Sequence, residues 1–506
     1  MSKPNIVWLM ADHLVYAHHK ELTGYPELPT FDRLSAEGIS FENAFSVCPL
    51  CQPARASMLT GVYPHRHGML TNEGDLGSRA DFEPGERLIS SYLKEAGYRV
   101  GYFGKWHNGQ LRTAQDYGFE GFSMTGYGHP YYADEYLAYL DELGLPEPEV
   151  TLDWYFYDHS WEGQTIKLKD FPRPYEAPYP FMDSSGVLNG PVETHEAFFL
   201  AHIATKWLEE AVTESDDEPF FLRFDPWGPH QPYYVAEPYA NTVNPADLPE
   251  YPNFRNTLAH RPANHRDLLD YRIGLGRSPD WKDWQPILAR CHEHSTLVDA
   301  AIGRVVDALE RLGVLENTLI IYTADHGGAV ATNGGLVDKG WLMIDETVRI
   351  PMAIRWPNKI PCGVTTDQLI SNMDLVPTVL EAAGAQMPSP IDGTSLLPLS
   401  YSADIRQHPN DVAWRQDLML QHHGHYSKPN FQRQLRHGPY KYVAHLDDRD
   451  ELYDIAQDPY ELHNLIDTPH MEAVLKDMRQ RLHRQMIDHD DHSPQAQQLI
   501  SQMNVL

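Results

Sequence analysis

Basic residues are the scarce class in this 506-residue chain: 40 Lys+Arg face 71 Asp+Glu, a formal charge of −31 with His neutral. No Lys/Arg run occurs anywhere, and a nucleic-acid partner would need a clustered basic face, so that class of function is disfavoured. An anionic substrate would have to be drawn in by a local basic pocket against a repulsive overall field. Cysteine is scarce as well. Cys48, Cys51, Cys291 and Cys362 are too few to form a disulfide scaffold, so at least one must be explained by chemistry or packing. No apolar stretch reaches the roughly 18 residues of a membrane span. The run Ile6 to Met10 is short for a signal-peptide core and has Asp12 directly behind it, which reads as a cytoplasmic protein with no membrane attachment.

What is present can bury a large core. With 42% apolar and 11% aromatic residues, the length suggests two or three structural units. Short apolar runs at 5–10, 98–103, 219–225, 318–323 and 350–355 alternate with helical patterns, as parallel strands covered on both faces do. One helical stripe is Leu88, Ile89, Tyr92 and Leu93; another runs from Leu297 to Leu309 and is closed by Gly313. The fold class expected is α/β, a large mostly parallel sheet flanked by helices over residues 1–395. Two stretches break the rhythm, about 121–190 and 233–290, and read as insertions that shape a binding mouth or decorate the surface. Residues 396–506 form a smaller C-terminal α+β subdomain, with alternating strands near 440–444 and 451–453 and a helix over 471–486. The tail from Ser493 extends beyond that helix and could reach a neighbouring subunit of a homo-oligomer.

The segment Cys51-Gln-Pro-Ala-Arg55-Ala-Ser-Met-Leu-Thr-Gly61 carries the most chemistry. Pro53 suits the first positions of a helix and Gly61 the residue past its end, so Cys51 is expected at the amino end of a short helix. Unpaired N–H groups there attract anions, and Arg55 adds a cation one turn along. A buried structural cysteine fits these local features equally well. Cys48 and Cys51 also have CxxC spacing, but no second pair accompanies them for zinc.

This segment resembles the type I sulfatase signature, Cys-x-Pro-Ser/Ala-Arg followed by Leu-Thr-Gly. The resemblance continues through Lys3 to Asp12, Gly61-Val-Tyr-Pro, Gly104-Lys105-Trp106-His107, Gly228-Pro-His230-Gln-Pro, Thr323-Ala-Asp325-His326-Gly, Lys339 and Tyr440 to Leu465. It implies the alkaline phosphatase superfamily fold and a sulfate monoester substrate, either an aryl or other small-molecule sulfate or a saccharide sulfate. It further implies that Cys51 is oxidised by a formylglycine-generating maturation enzyme, and that the hydrated aldehyde is the nucleophile. By the same resemblance Arg55 and Lys105 hold the formylglycine oxygens, and His107 deprotonates the second hydroxyl. His230 protonates the leaving oxygen, and Lys339 binds the sulfate.

Asp12 and Asp325-His326 each follow an apolar run, so their side chains should emerge at strand ends, where open sheets place ligands. With an oxygen of residue 51 they make a site for one divalent ion, Ca²⁺ by its preference for carboxylates. His13 stands where the family usually has a second Asp; an imidazole there favours Mn²⁺ or lies behind the direct ligands. The run His422-His423-Gly424-His425 either lines the substrate pocket or is an exposed or subunit-contact loop. Two rival functions stay open. One is a phosphonate monoester or phosphodiester hydrolase of the same superfamily, favoured by His13 and opposed by Lys105 and His107. The other is a non-catalytic metal- and anion-binding protein in which Cys51 stays a thiol.

Overall fold

The apolar run at the start of the chain becomes the middle of a sheet. The computed structural model describes residues 3–155, 161–170, 184–214, 218–274, 280–336, 338–406, 410 and 412–504. Asn5–Ala11 pairs in parallel with Thr318–Ala324 on one side and Phe220–Asp225 on the other. The eight-stranded sheet has the order Val364–Thr366, Ile39–Phe41, Met352–Arg355, Thr318–Ala324, Asn5–Ala11, Phe220–Asp225, Arg99–Lys105, Glu120–Met124. All residues of the three central strands are buried, which is why they show no alternation of apolar and polar positions. Pro29–Ala36, Glu196–Thr213 and Trp281–Arg311 pack together as one helix layer; Cys51–Thr60, Ile89–Glu95 and Leu375–Ala383 form a second. Met352–Arg355 departs from the parallel expectation, running antiparallel to both neighbours. An apolar run signals burial, not direction.

The two irregular stretches are less irregular than their composition suggests. Glu120–Met124 is an edge strand of the main sheet, and a second sheet joins Tyr233–Ala236, Ser184–Asn189, Glu149–Tyr155 and Thr165–Lys167. Residues 156–160, 171–183 and 275–279 of these stretches lie outside the described residues. Among the described residues no helix is long and apolar enough to cross a membrane.

In the last part of the chain, Asp417–His425, Lys428–His437, Tyr440–His445 and Glu451–Asp454 form a four-stranded antiparallel meander. Helix Glu472–Asp488 covers it with Met478, Leu482 and Met486. The tail folds back instead of reaching outward: Pro494–Met503 is a helix, capped by the Ser493 side chain accepting from Ala496 N–H, and it buries Ala496, Leu499 and Met503 in the same core. Its three apolar positions are hidden among glutamines in the sequence. Val47, Cys48 and Leu50 join this core from the segment just before Cys51. Cys48 is thus a packing residue.

Candidate active site

Two strands end side by side in carboxylates. Ala11 lies opposite Ala324 in the parallel pairing, so Asp12 and Asp325 leave the sheet together at its carboxyl edge. Both are fully buried. Gly104 lies opposite Asp225, which brings Lys105 to the same edge. At Gly104, φ is 125° and a Cβ would sit 1.9 Å from the Asp225 carbonyl oxygen, so only glycine permits this approach.

Cys51 opens the helix Cys51–Thr60, as the sequence suggests, and Gly61 closes it in the left-handed region at φ 74°. The Cys51 Sγ lies 3.1 Å from His326 Nε2, 3.6 Å from Lys105 Nζ and 3.9 Å from Asp12 Oδ1. The Lys105 ammonium donates to Asp12 Oδ2. Arg55 sits among the carboxylates. Its Nε donates to Asp325 Oδ2 at 2.8 Å, and one terminal N–H group reaches the Lys105 carbonyl at 2.6 Å and Asp225 Oδ2 at 3.2 Å. The other terminal nitrogen is 3.7 Å from Asp12 Oδ1. Arg55 therefore clamps the carboxylates.

Burial, reinforced by the charge of Asp325, pushes the Asp12 carboxyl up to about 7 against the pull of Lys105. Asp325 goes the other way. Burial opposes ionisation, but His326, Arg55, Lys105 and the His13 backbone N–H outweigh it and hold this carboxyl well below its usual range. Asp12, Cys51, Asp325 and His326 each bring one ligand atom within 4.8 Å of the others. His326 Nδ1 donates to the Gly327 carbonyl at 2.7 Å, which leaves the Nε2 lone pair aimed at Sγ. Two carboxylates, an imidazole and the heteroatom of residue 51 in one buried space form a potential divalent-ion site.

His13 lies outside that quartet. Its backbone N–H donates to Asp325 Oδ1 at 3.0 Å with φ 56°, while its ring turns to a second group made with His230 and Asp338. His230 Nδ1 donates to the Gln231 carbonyl at 2.8 Å, and Lys339 Nζ donates to His230 Nε2 and to Asp338 Oδ1, each at 2.9 Å. Burial and Lys339 push His230 well below its usual range; Lys339, despite burial, is raised by Asp338. His107 has φ 45° and packs edge-on to Tyr127 at 5.5 Å. Burial, then Lys105, Arg55 and Lys339, keep its imidazole neutral, and among the described residues its Nδ1 has no hydrogen-bond partner.

The histidine run is split between surroundings. His425 Nδ1 sits 2.8 Å from Glu73, and its ring stacks at 3.7 Å on Tyr426, whose hydroxyl donates to Asp338 Oδ2 at 2.9 Å. The hairpin tip thus touches the pocket through residues 425 and 426. His422 donates to its own hairpin at Asn430, and His423 packs edge-on to Phe431. A register shift between His422 and Gly424 breaks the alternation that would have aligned the run.

Sequence reasoning missed Arg223, Asp225, Tyr102, Tyr127 and Asp338. Arg223 Nε and the Tyr102 hydroxyl both donate to Asp225 Oδ2, at 2.9 and 2.7 Å, fixing the carboxylate that receives Arg55. Arg223 and Asp225 within an otherwise apolar strand were a readable signal, since charges are buried only when paired. Tyr127 comes from the first irregular stretch and lies under Lys105 Nζ at 4.1 Å from its ring centre.

The family model for sulfatases matches residues 4–385. The chain belongs to the sulfatase family. It is a sulfuric ester hydrolase of the alkaline phosphatase superfamily. The model for the C-terminal region of N-sulphoglucosamine sulphohydrolase matches residues 333–488. This sulfatase is 28% identical over 97% of its length to the uncharacterized sulfatase YidJ of Escherichia coli, covering 88% of it. It is 25% identical over 99% of its length to an N-acetylglucosamine-6-O-sulfatase of Bacteroides thetaiotaomicron, covering 89% of that protein. In fold it matches a protein solved with its substrate D-glucosamine-2-N,6-O-disulfate, with a TM-score of 0.72, 22% identity, and coverage of 98% of this chain and 99% of the other. It also matches the phosphonate monoester hydrolase of Agrobacterium radiobacter, with a TM-score of 0.73, 21% identity and 96% of each chain covered.

Proposed function

We propose that this sulfatase removes sulfate from a sulfated saccharide, using Cys51 matured to formylglycine and one divalent ion held by Asp12, Asp325, His326 and residue 51. The observation that carries the reading is the Cys51 Sγ at 3.1 Å from His326 Nε2 and 3.6 Å from Lys105 Nζ, buried at a helix amino end. Hydrated formylglycine would supply two hydroxyls on one carbon, one to attack sulfur and one to release sulfate, with the ion favouring the ionised nucleophile. The Sγ marks where those oxygens would lie. Arg55 and Lys105 hold Asp325 and Asp12 against their mutual repulsion. Lys339 offers an ammonium to a sulfate oxygen and donates to the lone pair of His230 Nε2, so an ammonium proton held between the two can pass to the departing alcohol oxygen. His107, neutral and with an open Nδ1, can take the proton of the second hydroxyl. Ca²⁺ suits the carboxylate-rich quartet, and Mn²⁺ suits the imidazole in it. The saccharide class is supported by the relatives named for amino-sugar sulfates.

Two measurements on protein from its native host test the proposal. Mass spectrometry of the Cys51 peptide should show aldehyde; thiol alone would end the reading. Turnover of glucosamine 6-sulfate and an aryl sulfate should exceed that of a phosphonate monoester and a phosphodiester. Dominant phosphonate turnover would move the chain to the activity named for the Agrobacterium relative.

A further inference from the structure

Outside the quartet, a second set of ligand-grade atoms is buried in the same pocket. His13, His230 and Asp338 bring one ligand atom each within 4.8 Å of one another. All three side chains are buried. The tautomer of His230 is settled by Nδ1 donating to Gln231, so Nε2 presents a lone pair. His13 stands 3.7 Å from Asp338 Oδ1 through its Nδ1, and its ring centre is 4.7 Å from that of His230. Among the described residues neither ring nitrogen of His13 has a hydrogen-bond partner, at 1% exposure. An unmatched buried imidazole costs free energy unless something binds it.

The ring is also clamped. A Cβ on Gly328 would lie 2.0 Å from His13 Nε2, so only a glycine there leaves room for the imidazole. The left-handed backbone at His13 is held by its N–H on Asp325. That bond directs the main chain to the first site and the side chain to the second.

We infer that His13, His230 and Asp338 form a second metal site, selective for a borderline transition ion such as Zn²⁺, whose occupation blocks the sulfate pocket. Two imidazoles and one carboxylate match the donor preference of Zn²⁺ and not that of Ca²⁺. Zn–N bonds of about 2.0 Å place tetrahedral ligand atoms about 3.3 Å apart. The 3.7 Å between His13 and Asp338 is close to that, so side-chain adjustment suffices. Blocking follows from Lys339. Its ammonium now sits 2.9 Å from both His230 Nε2 and Asp338 Oδ1, the two atoms an ion would need. An ion on them expels the ammonium from the place where it would meet sulfate. Zinc binding and the arrangement poised for substrate are therefore mutually exclusive.

The test uses the full-length protein loaded with its first-site ion. Calorimetric titration with Zn²⁺ should show one further equivalent without release of the first ion. Anomalous diffraction at the zinc edge should place a peak among residues 13, 230 and 338. His13→Asn should weaken that equivalent by about 10- to 100-fold, and Asp338→Asn should do so as well. In turnover, Zn²⁺ should raise the apparent KM and leave kcat unchanged. A zinc peak only within the quartet, release of the first ion in step with zinc uptake, or no second equivalent would overturn the inference. The anomalous readout is independent of turnover and of Cys51 conversion, so it separates this claim from the proposed sulfate ester chemistry. It also decides the matter should either variant fail to fold.

Discussion

The pocket cluster of buried charge and a second one in this sulfatase are built differently. In the seam between the main sheet and the C-terminal meander, Arg261 donates to Glu451 at 2.8 Å and to Glu461 at 3.2 Å. Lys441 donates to Glu461 at 2.6 Å, His445 faces Glu451 at 2.9 Å, and the Tyr453 hydroxyl donates to Glu451 at 2.7 Å. With the Asp345 N–H also on Glu461, all four carboxylate oxygens of this pair are occupied. The pocket cluster is different. Among the described residues Asp12 Oδ1 has only Sγ at 3.9 Å and Arg55 at 3.7 Å, and His13 and His107 keep unmatched nitrogens. His265 and His445 leave unmatched nitrogens in the seam too, so the difference lies in the carboxylates: saturated ones hold a structure together, whereas an open carboxylate oxygen can take a ligand.

The sharpest separation should come from Cys51→Ala. Activity should fall by about 10³-fold or more, while urea unfolding shifts by no more than about 1 kcal/mol. Loss of stability with retained turnover would erase the distinction. Arg261→Met should do the opposite: it strands two buried carboxylates and should cost about 3–5 kcal/mol in unfolding free energy. The kcat of the molecules that remain folded should hold within about threefold, as stopped-flow or steady-state rates per folded molecule will show.

A pH effect belongs to the seam next. His18 is raised to about 9: burial opposes its charge, but Asp345 and Glu21 overcome it. Its folded pKa lies above its unfolded one, so its stabilisation is complete below about 6.5 and fades as pH rises through 9, a loss on the order of 3 kcal/mol. Urea midpoints at pH 6 and pH 9.5 should reveal it, and His18→Gln should flatten that difference. The smallest effect is at the rim. Tyr426→Phe removes one hydrogen bond to Asp338 and should change KM by about 2- to 10-fold, with the melting temperature little altered.

The sequence disclosed the pocket where its cues were local. The carboxylates at 12 and 325 end apolar runs, and Cys51 stands between an extended Leu50 and a helix closed by Gly61, all readable from neighbouring residues. It concealed what depends on distant partners. Nothing near Arg55 announces that its guanidinium turns toward Asp225, 170 positions away. His13 reads as a substitute ligand by position, yet a single backbone bond swings its ring to another group. The direction of Met352–Arg355 and the docking of the last helix were likewise set by tertiary packing, which periodicity does not encode.

The burial of Cys51, at 1% exposure, sets a clock on whatever alters it. No enzyme of ordinary size can reach that sulfur once the molecule has closed. Closure must wait for residue 324, because Thr318–Ala324 is the later of the two strands that lie against Asn5–Ala11 and it carries Asp325 to the site. At ribosomal speeds of about 5–20 residues per second, the nascent segment around position 51 stays open to a visitor for roughly 15 to 55 s. An enzyme that carried out the proposed conversion of the thiol would therefore race against translation.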